Sequence, residues 1–134
     1  MAFLPYKVDG SNRPQSLEYK LMASSQTPKV GLALKYNSGK VVLCSGTTKP
    51  EYICMTERAS ALSADEFVPV LRINPDMIFA VPAQADASAV TNGQSVTIHT
   101  DGLQVTATTS SGVAEIVDRE GTGTTGDTLY VRFK

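Results

Sequence analysis

Apolar and polar residues alternate with a period of two in the clearest segments of this chain. Leu17-Glu18-Tyr19-Lys20-Leu21-Met22 alternates in this way and predicts a half-buried strand. Gln26-Thr27-Pro28 breaks the pattern, and Gly31-Leu32-Ala33-Leu34-Lys35-Tyr36 starts the next strand. Asn37-Ser38-Gly39 reads as a three-residue hairpin loop with Gly39 at the position needing positive φ. Lys40–Ser45 returns from it, 46–50 form a second turn, and Glu51–Thr56 follow as its partner strand. That hairpin sets Cys44 opposite Tyr52. Cys44 and Cys54 then share a face but are offset by two residues, too far for an unstrained bridge.

Residues 57–66 are the only helix candidate. Ser63 and Glu66 fit a capping box, but Pro69 stops any helix, so the expectation is a loop with at most one helical turn. Phe67–Ile73 reads as a strand whose Pro69 suits an edge or a bulge. Asn74-Pro75-Asp76 is a turn, Met77–Pro82 a strand, and 83–91 a low-bulk connection. A meander follows a turn at Asn92-Gly93. Its strands are Ser95–Thr100 and Leu103–Thr108, joined by an Asp101-Gly102 hairpin turn. Ser110-Ser111-Gly112 turns into Val113–Asp118, then a Gly/Thr loop (119–126) leads to Asp127–Phe133. Nine or ten short strands at near-regular spacing predict an all-β fold, a compact β-barrel or sandwich domain.

Residues 1–16 stand apart as an extended N-terminal arm, and 17–134 form a single β domain. The arm carries Pro5, Pro14 and the turn signal Asp9-Gly10-Ser11-Asn12. It also carries Phe3, Leu4, Tyr6 and Val8, more bulk than a solvated tail holds. The arm is therefore expected to dock, either on its own domain or on a partner.

Composition agrees with the pattern. The 134 residues include 13 Val and 14 Thr, β-branched side chains that pack well on pleated strands, and no Trp. Twelve Lys and Arg against 13 Asp and Glu leave a net charge of −1, which argues against a dedicated nucleic-acid binder. No apolar run is long enough to span a membrane, and the N-terminus lacks the pattern of a signal peptide, so use without secretion is expected. Two cysteines and one histidine make no zinc ligand set, and no metal or other cofactor is expected.

Four patterns resemble chemistry and each lacks a required part. Gly121-Thr122-Gly123-Thr124-Thr125-Gly126 matches a dinucleotide fingerprint in letters, but a strand follows where a helix is needed. Ser95, His99 and Asp101 lack a nucleophile elbow. The carboxylate pairs Asp65-Glu66 and Asp118/Glu120 lack an aromatic sugar platform, and Asp9–Asn12 is too sparse in ligands for calcium. Tyr36, Tyr52, Lys35 and Lys40 could serve a single-strand nucleic-acid groove, although acids elsewhere cancel the field. The expectation is a non-enzymatic β module whose product is an interface.

The order of elements resembles a known family. An arm leads to Val30-Gly31-Leu32-Ala33-Leu34 and a Gly39-Lys40-Val41-Val42 hairpin, then to Pro50-Glu51-Tyr52-Ile53 and Val68-Pro69-Val70-Leu71-Arg72-Ile73. Near the end come a Gly-x-x-Val-x-Ile segment from Gly93 to Ile98 and a Gly126-Asp127 step into the last strand. Over roughly residues 28–133 this resembles the small capsid decoration, or cement, proteins of tailed bacteriophages. The resemblance implies a small β-barrel or β-tulip, often a homotrimer, made in the host bacterial cytoplasm. It implies a place on the outer surface of the capsid in the virion, stabilising the shell against internal DNA pressure. It also implies an arm that adds to a neighbour or to the major capsid protein, with Phe3, Leu4, Pro5, Tyr6 and Val8 as the contact residues. Nucleic acid and membrane are not expected partners. The alternatives are another phage structural β module of tail or baseplate, an OB-like nucleic-acid-binding domain and a carbohydrate-binding β-sandwich.

Overall fold

The computed structural model describes residues 2–8 and 16–134. The described residues hold ten strands and no helix. They are β1 (Leu4–Val8), β2 (Glu18–Met22), β3 (Ala33–Asn37), β4 (Lys40–Leu43), β5 (Tyr52–Cys54), β6 (Glu66–Arg72), β7 (Met77–Pro82), β8 (Ser95–Val96), β9 (Ala114–Arg119) and β10 (Thr128–Phe133). They build two sheets. Strands β2-β4-β3-β5-β6 close into a barrel, and β1-β7-β10-β9-β8 form an open five-stranded sheet.

A five-stranded barrel is too narrow to enclose a channel, so side chains fill it. Met22, Leu34, Val41, Tyr52, Cys54, Val68 and Val70 supply the filling, with Leu32, Leu62 and Leu103 packed among them. The open sheet packs its inner face on one outer wall of the barrel. In β7 and β10 every second residue is buried: Met77, Phe79, Val81 and Leu129, Val131, Phe133. These meet Ala33, Cys44, Ile53 and Leu71 from the barrel, giving one larger core. Arg119 fastens the 83–92 connection over this core, donating to the carbonyls of Ala87 and Val90 and to the Asn92 side chain.

The arm joins the domain. β1 pairs antiparallel with β7 as an edge strand of the open sheet, with a register break at Tyr6. Phe3 lies wholly inside the core, its ring 5.4 Å from that of Phe133. The Asp9–Asn12 turn and Pro14 lie outside the described residues.

Several expectations need correction. The β3–β4 loop has two residues, since Asn37 pairs with Lys40. Ser38 and Gly39 both take positive φ, 54° and 80°, the primed turn that matches strand twist. β4 and β5 do not form a hairpin. β5 crosses to the other edge of β3, and β4 instead pairs in parallel with β2, which closes the barrel. Gly46 is drawn off to exchange two hydrogen bonds with Ile98, so the chain leaves β4 toward the open sheet. Cys44 therefore lies in the inter-sheet core and Cys54 inside the barrel, and both are free. Pro69 is not at an edge, because β6 pairs on both sides. Its carbonyl accepts from Met55 just past the end of β5, so the missing N–H falls where that strand has run out. Residues 57–65 form bends with no helical turn. The meander of 95–108 shrinks to β8, an isolated Ile98–Val105 bridge and backbone bonds linking Thr97 to Thr106 and Thr108.

On the outer face of the open sheet, Glu115 is buried between Arg132 and Lys134, at 2.7 and 2.5 Å. The bond from Lys134, with Arg132 adding to it, holds its carboxyl below the ordinary 4.5 against the opposing effect of burial. A carboxylate whose folded pKa is depressed stabilises above its unfolded value and loses that contribution as pH falls through the folded one. Glu115→Gln is therefore expected to reduce the loss of thermal stability on acidification. Melting curves of both proteins from neutral to acid pH test this; coincident acid slopes would show that the pair contributes nothing.

Candidate interface

The arm residues divide between inside and outside. Phe3 belongs to the domain's own core, so its side chain presents no surface in this fold. Leu4 is 49% exposed and Tyr6 43%, and Pro5 is exposed between them. The backbone of Val8 pairs with Met77. Tyr6 stacks on Tyr130 with ring centroids 4.5 Å apart, across a shallow hollow of about 170 Å³ bounded by Lys7, Ile78, Val117 and Asp118. Tyr130 donates to Glu120 at 2.6 Å, and that bond pushes its phenol up to about 12. The outer edge of β1 carries Pro5 and a bulge, two features that blunt strand addition.

A second apolar surface lies on the barrel wall formed by β2 and β6. Register sets Leu21 opposite Phe67 and Tyr19 opposite Pro69. Val68 and Val70 fill the barrel, so the alternate positions, Phe67 and Pro69 with Tyr19 and Leu21, face outward. Tyr19 is 67% exposed and Phe67 66%, the highest values of any large apolar side chains described, and Leu17 extends the strip. The alternation in 17–22 was legible, but its apolar side faces solvent. The charged side, Glu18 and Lys20, turns to the mouth of the barrel.

At that mouth Arg72 grips Glu18 through two bonds of 2.7 and 2.9 Å, holding the carboxyl below its ordinary range. Lys20 and Arg72 both lie within 5.5 Å of the centre of the Tyr52 ring. Tyr52 is buried and its hydroxyl meets that of Tyr36 at 3.1 Å, with the rings edge to face. These tyrosines thus pack against each other, and Tyr52 offers no face for a base to stack on. Lys40 is paired with Asp65 at 2.6 Å, while Lys35 is half-buried in β3.

The other sequence candidates have structural employment. The Asp101 carboxylate accepts from Leu103 N and Gln104 Nε2, while the backbone N–H of His99 donates to Gln104. Ser95 sits in β8. In the Gly-rich loop, Gly123 N, Thr124 N and Thr124 Oγ1 all donate to Asp127, so the chain's own carboxylate occupies donors that a phosphate would need. Asp65 accepts from Ser24 N, Glu66 is paired with Arg58, and Asp118 accepts from Arg119 N. Burial pushes the Cys44 thiol up to about 11 and raises that of Cys54. Among the described residues no three His, Cys, Asp or Glu side chains converge as a metal site, and no helix is long and apolar enough to cross a membrane.

No protein family matches this chain, and no curated protein was found to resemble it at a significant level.

Proposed function

We propose that this chain is a structural virion protein, a decoration or cement protein that binds the outside of a phage capsid and stabilises the shell. The observation that carries the reading is the kind of surface it leaves exposed. Large apolar and aromatic side chains stand exposed on its strands (Leu4 and Tyr6 on β1, Tyr19 and Phe67 on the barrel). Such side chains are enriched in the buried centres of protein interfaces. On the barrel, Arg58, Arg72 and Lys40 are held by Glu66, Glu18 and Asp65, which favours a protein partner over a polyanion there. The resemblance in element order supplies the more specific setting of a capsid. Several copies joined as a homotrimer would attach by avidity, each contact being weak alone.

The contact with the major capsid protein is assigned to the exposed residues Leu4, Pro5 and Tyr6 at the sheet edge. The test is co-sedimentation with expanded capsids stripped of this protein. Wild type is expected to saturate the shells, and Leu4→Ser with Tyr6→Ser to bind less well while keeping its β circular dichroism. Retention on single-stranded DNA that weakens steeply with added salt, with no binding to capsids, would replace this reading by a nucleic-acid-binding one.

A further inference from the structure

We infer that a hollow at the end of the barrel opposite Glu18 and Arg72 binds an aliphatic carboxylate, a small ligand with an apolar chain and an acidic head. The hollow measures about 530 Å³, within the range of small-ligand sites. Its floor is Leu32, Leu43 and Leu103, which come from the run into β3, the end of β4 and the loop of 97–108. The segments around it are tied to one another. Ser25 N donates to the Leu62 carbonyl, Leu62 N to that of Gln26 and Arg58 N to that of Pro28, which joins the 23–29 connection to the bends of 57–65. Ala33 N donates to the Gly102 carbonyl, which joins the 97–108 loop to β3. Backbone bonds therefore hold the space open before any ligand arrives.

The polar groups on the rim select the head of the ligand. Gln26 accepts the Leu43 N–H through Oε1 at 2.9 Å. That bond fixes the amide, because only its oxygen can accept, and it leaves the two Nε2 hydrogens as donors. Lys29 stands exposed on the rim and pairs with no carboxylate among the described residues. The other rim charges are engaged. Arg58 is gripped by Glu66 through two bonds, and Asp101 accepts from Leu103 N and Gln104 Nε2. What remains is an amide donor and an unpaired cation above a leucine floor. A carboxylate satisfies both, and an aliphatic chain behind it covers the leucines. A cationic head would meet Lys29 with only Asp101, already bonded twice, in return. The hollow shares no residue with the Leu4–Tyr6 edge, so its ligand does not depend on attachment to a capsid.

Titration of the full chain with hexanoate at neutral pH, followed through its backbone amide NMR signals, tests the inference. Hexanoate is expected to shift the amides of 25–29, 57–62 and 101–103 along a saturating curve, and hexylammonium to leave them in place. Lys29→Gln is expected to weaken hexanoate about two- to five-fold, the worth of an ion pair at an exposed cation, and to leave the response to hexan-1-ol unchanged. Ala59→Phe sets a ring over the hollow from an exposed position and is expected to abolish saturation. Should that variant fail to fold, Lys29→Glu gives the same readout by placing an acid beside the ligand's head. Equal shifts by hexanoate and hexylammonium overturn the inference, as do shifts that rise without saturating or that saturate only elsewhere in the chain. Hexanoate binding that persists unchanged in folded Ala59→Phe or Lys29→Glu overturns it as well.

Discussion

Phe3→Ala is expected to destabilise the domain by about 3–5 kcal/mol, the usual cost of emptying a buried aromatic site. The ring is fully enclosed and lies 5.4 Å from Phe133, which in turn lies 5.7 Å from Phe79. These three rings come from the arm, the last strand and β7, so the cavity would open where the chain's two ends meet. The Phe3 N–H also donates to the Gly31 carbonyl at 3.0 Å, a tie between the arm and the segment leading into the barrel. At a few degrees per kcal/mol for a domain of this size, the melting temperature should fall by roughly 10–15 °C. Removing residues 2–8 should cost more than the single substitution, because it also strips the backbone partners of β7. Denaturant titration of both proteins measures this. A loss under about 1 kcal/mol for Phe3→Ala would show that the arm is not part of the core, since an exposed side chain rarely exceeds that. The same logic separates the arm's packing in the core from its proposed contact with a partner. Leu4→Ser changes an exposed position and should leave stability nearly unaltered while it weakens attachment.

The period-two pattern was enough to read the class of fold, because burial alternates cleanly along β7 and β10. The bounds of β7 were legible to the residue, and those of β9 and β10 within one. What periodicity leaves open is which side of a strand faces in. In β2 the apolar side faces out because Glu18 and Lys20 can be satisfied at the barrel mouth, by Arg72 and by the Tyr52 ring. The exposed Tyr19–Phe67 wall was invisible for that reason, since it requires knowing that β2 and β6 are neighbours. The β4–β5 pairing failed on a related ground. Adjacency in sequence favours a hairpin, but closure of the barrel gave that edge of β4 to β2. The arm's bulk did signal docking. Its division into a buried Phe3 and an exposed Leu4 and Tyr6 depended on the register with β7.

The meander of 95–108 is where local signals and structure differ most, and Gly102 shows why. Asp101-Gly102 has the letters of a tight two-residue turn. The segment makes a wider loop, in which Gly102 N donates to the His99 carbonyl and Asp101 caps Leu103 and Gln104 with its side chain. Gly102 is needed on two counts. Its φ is +69°, and a Cβ there would lie 2.9 Å from Leu32 Cδ1, 3.1 Å from Leu43 Cγ and 3.2 Å from the Cys44 carbonyl oxygen. Its own carbonyl accepts from Ala33 N, so the residue cannot withdraw without breaking a bond to the first residue of β3. Gly102→Val should therefore cost roughly 2–5 kcal/mol, strain at positive φ adding to overpacking. The two contributions can be separated with Gly39, which has φ +80° but open space around its Cβ position. Gly39→Ala should cost only the conformational part, and Gly102→Ala that part plus the contacts with Leu32, Leu43 and Cys44. Equal losses in the two alanine variants would mean that the 97–108 loop does not press on the barrel; a larger loss at Gly102 would establish that this loop is packed as part of the barrel's wall.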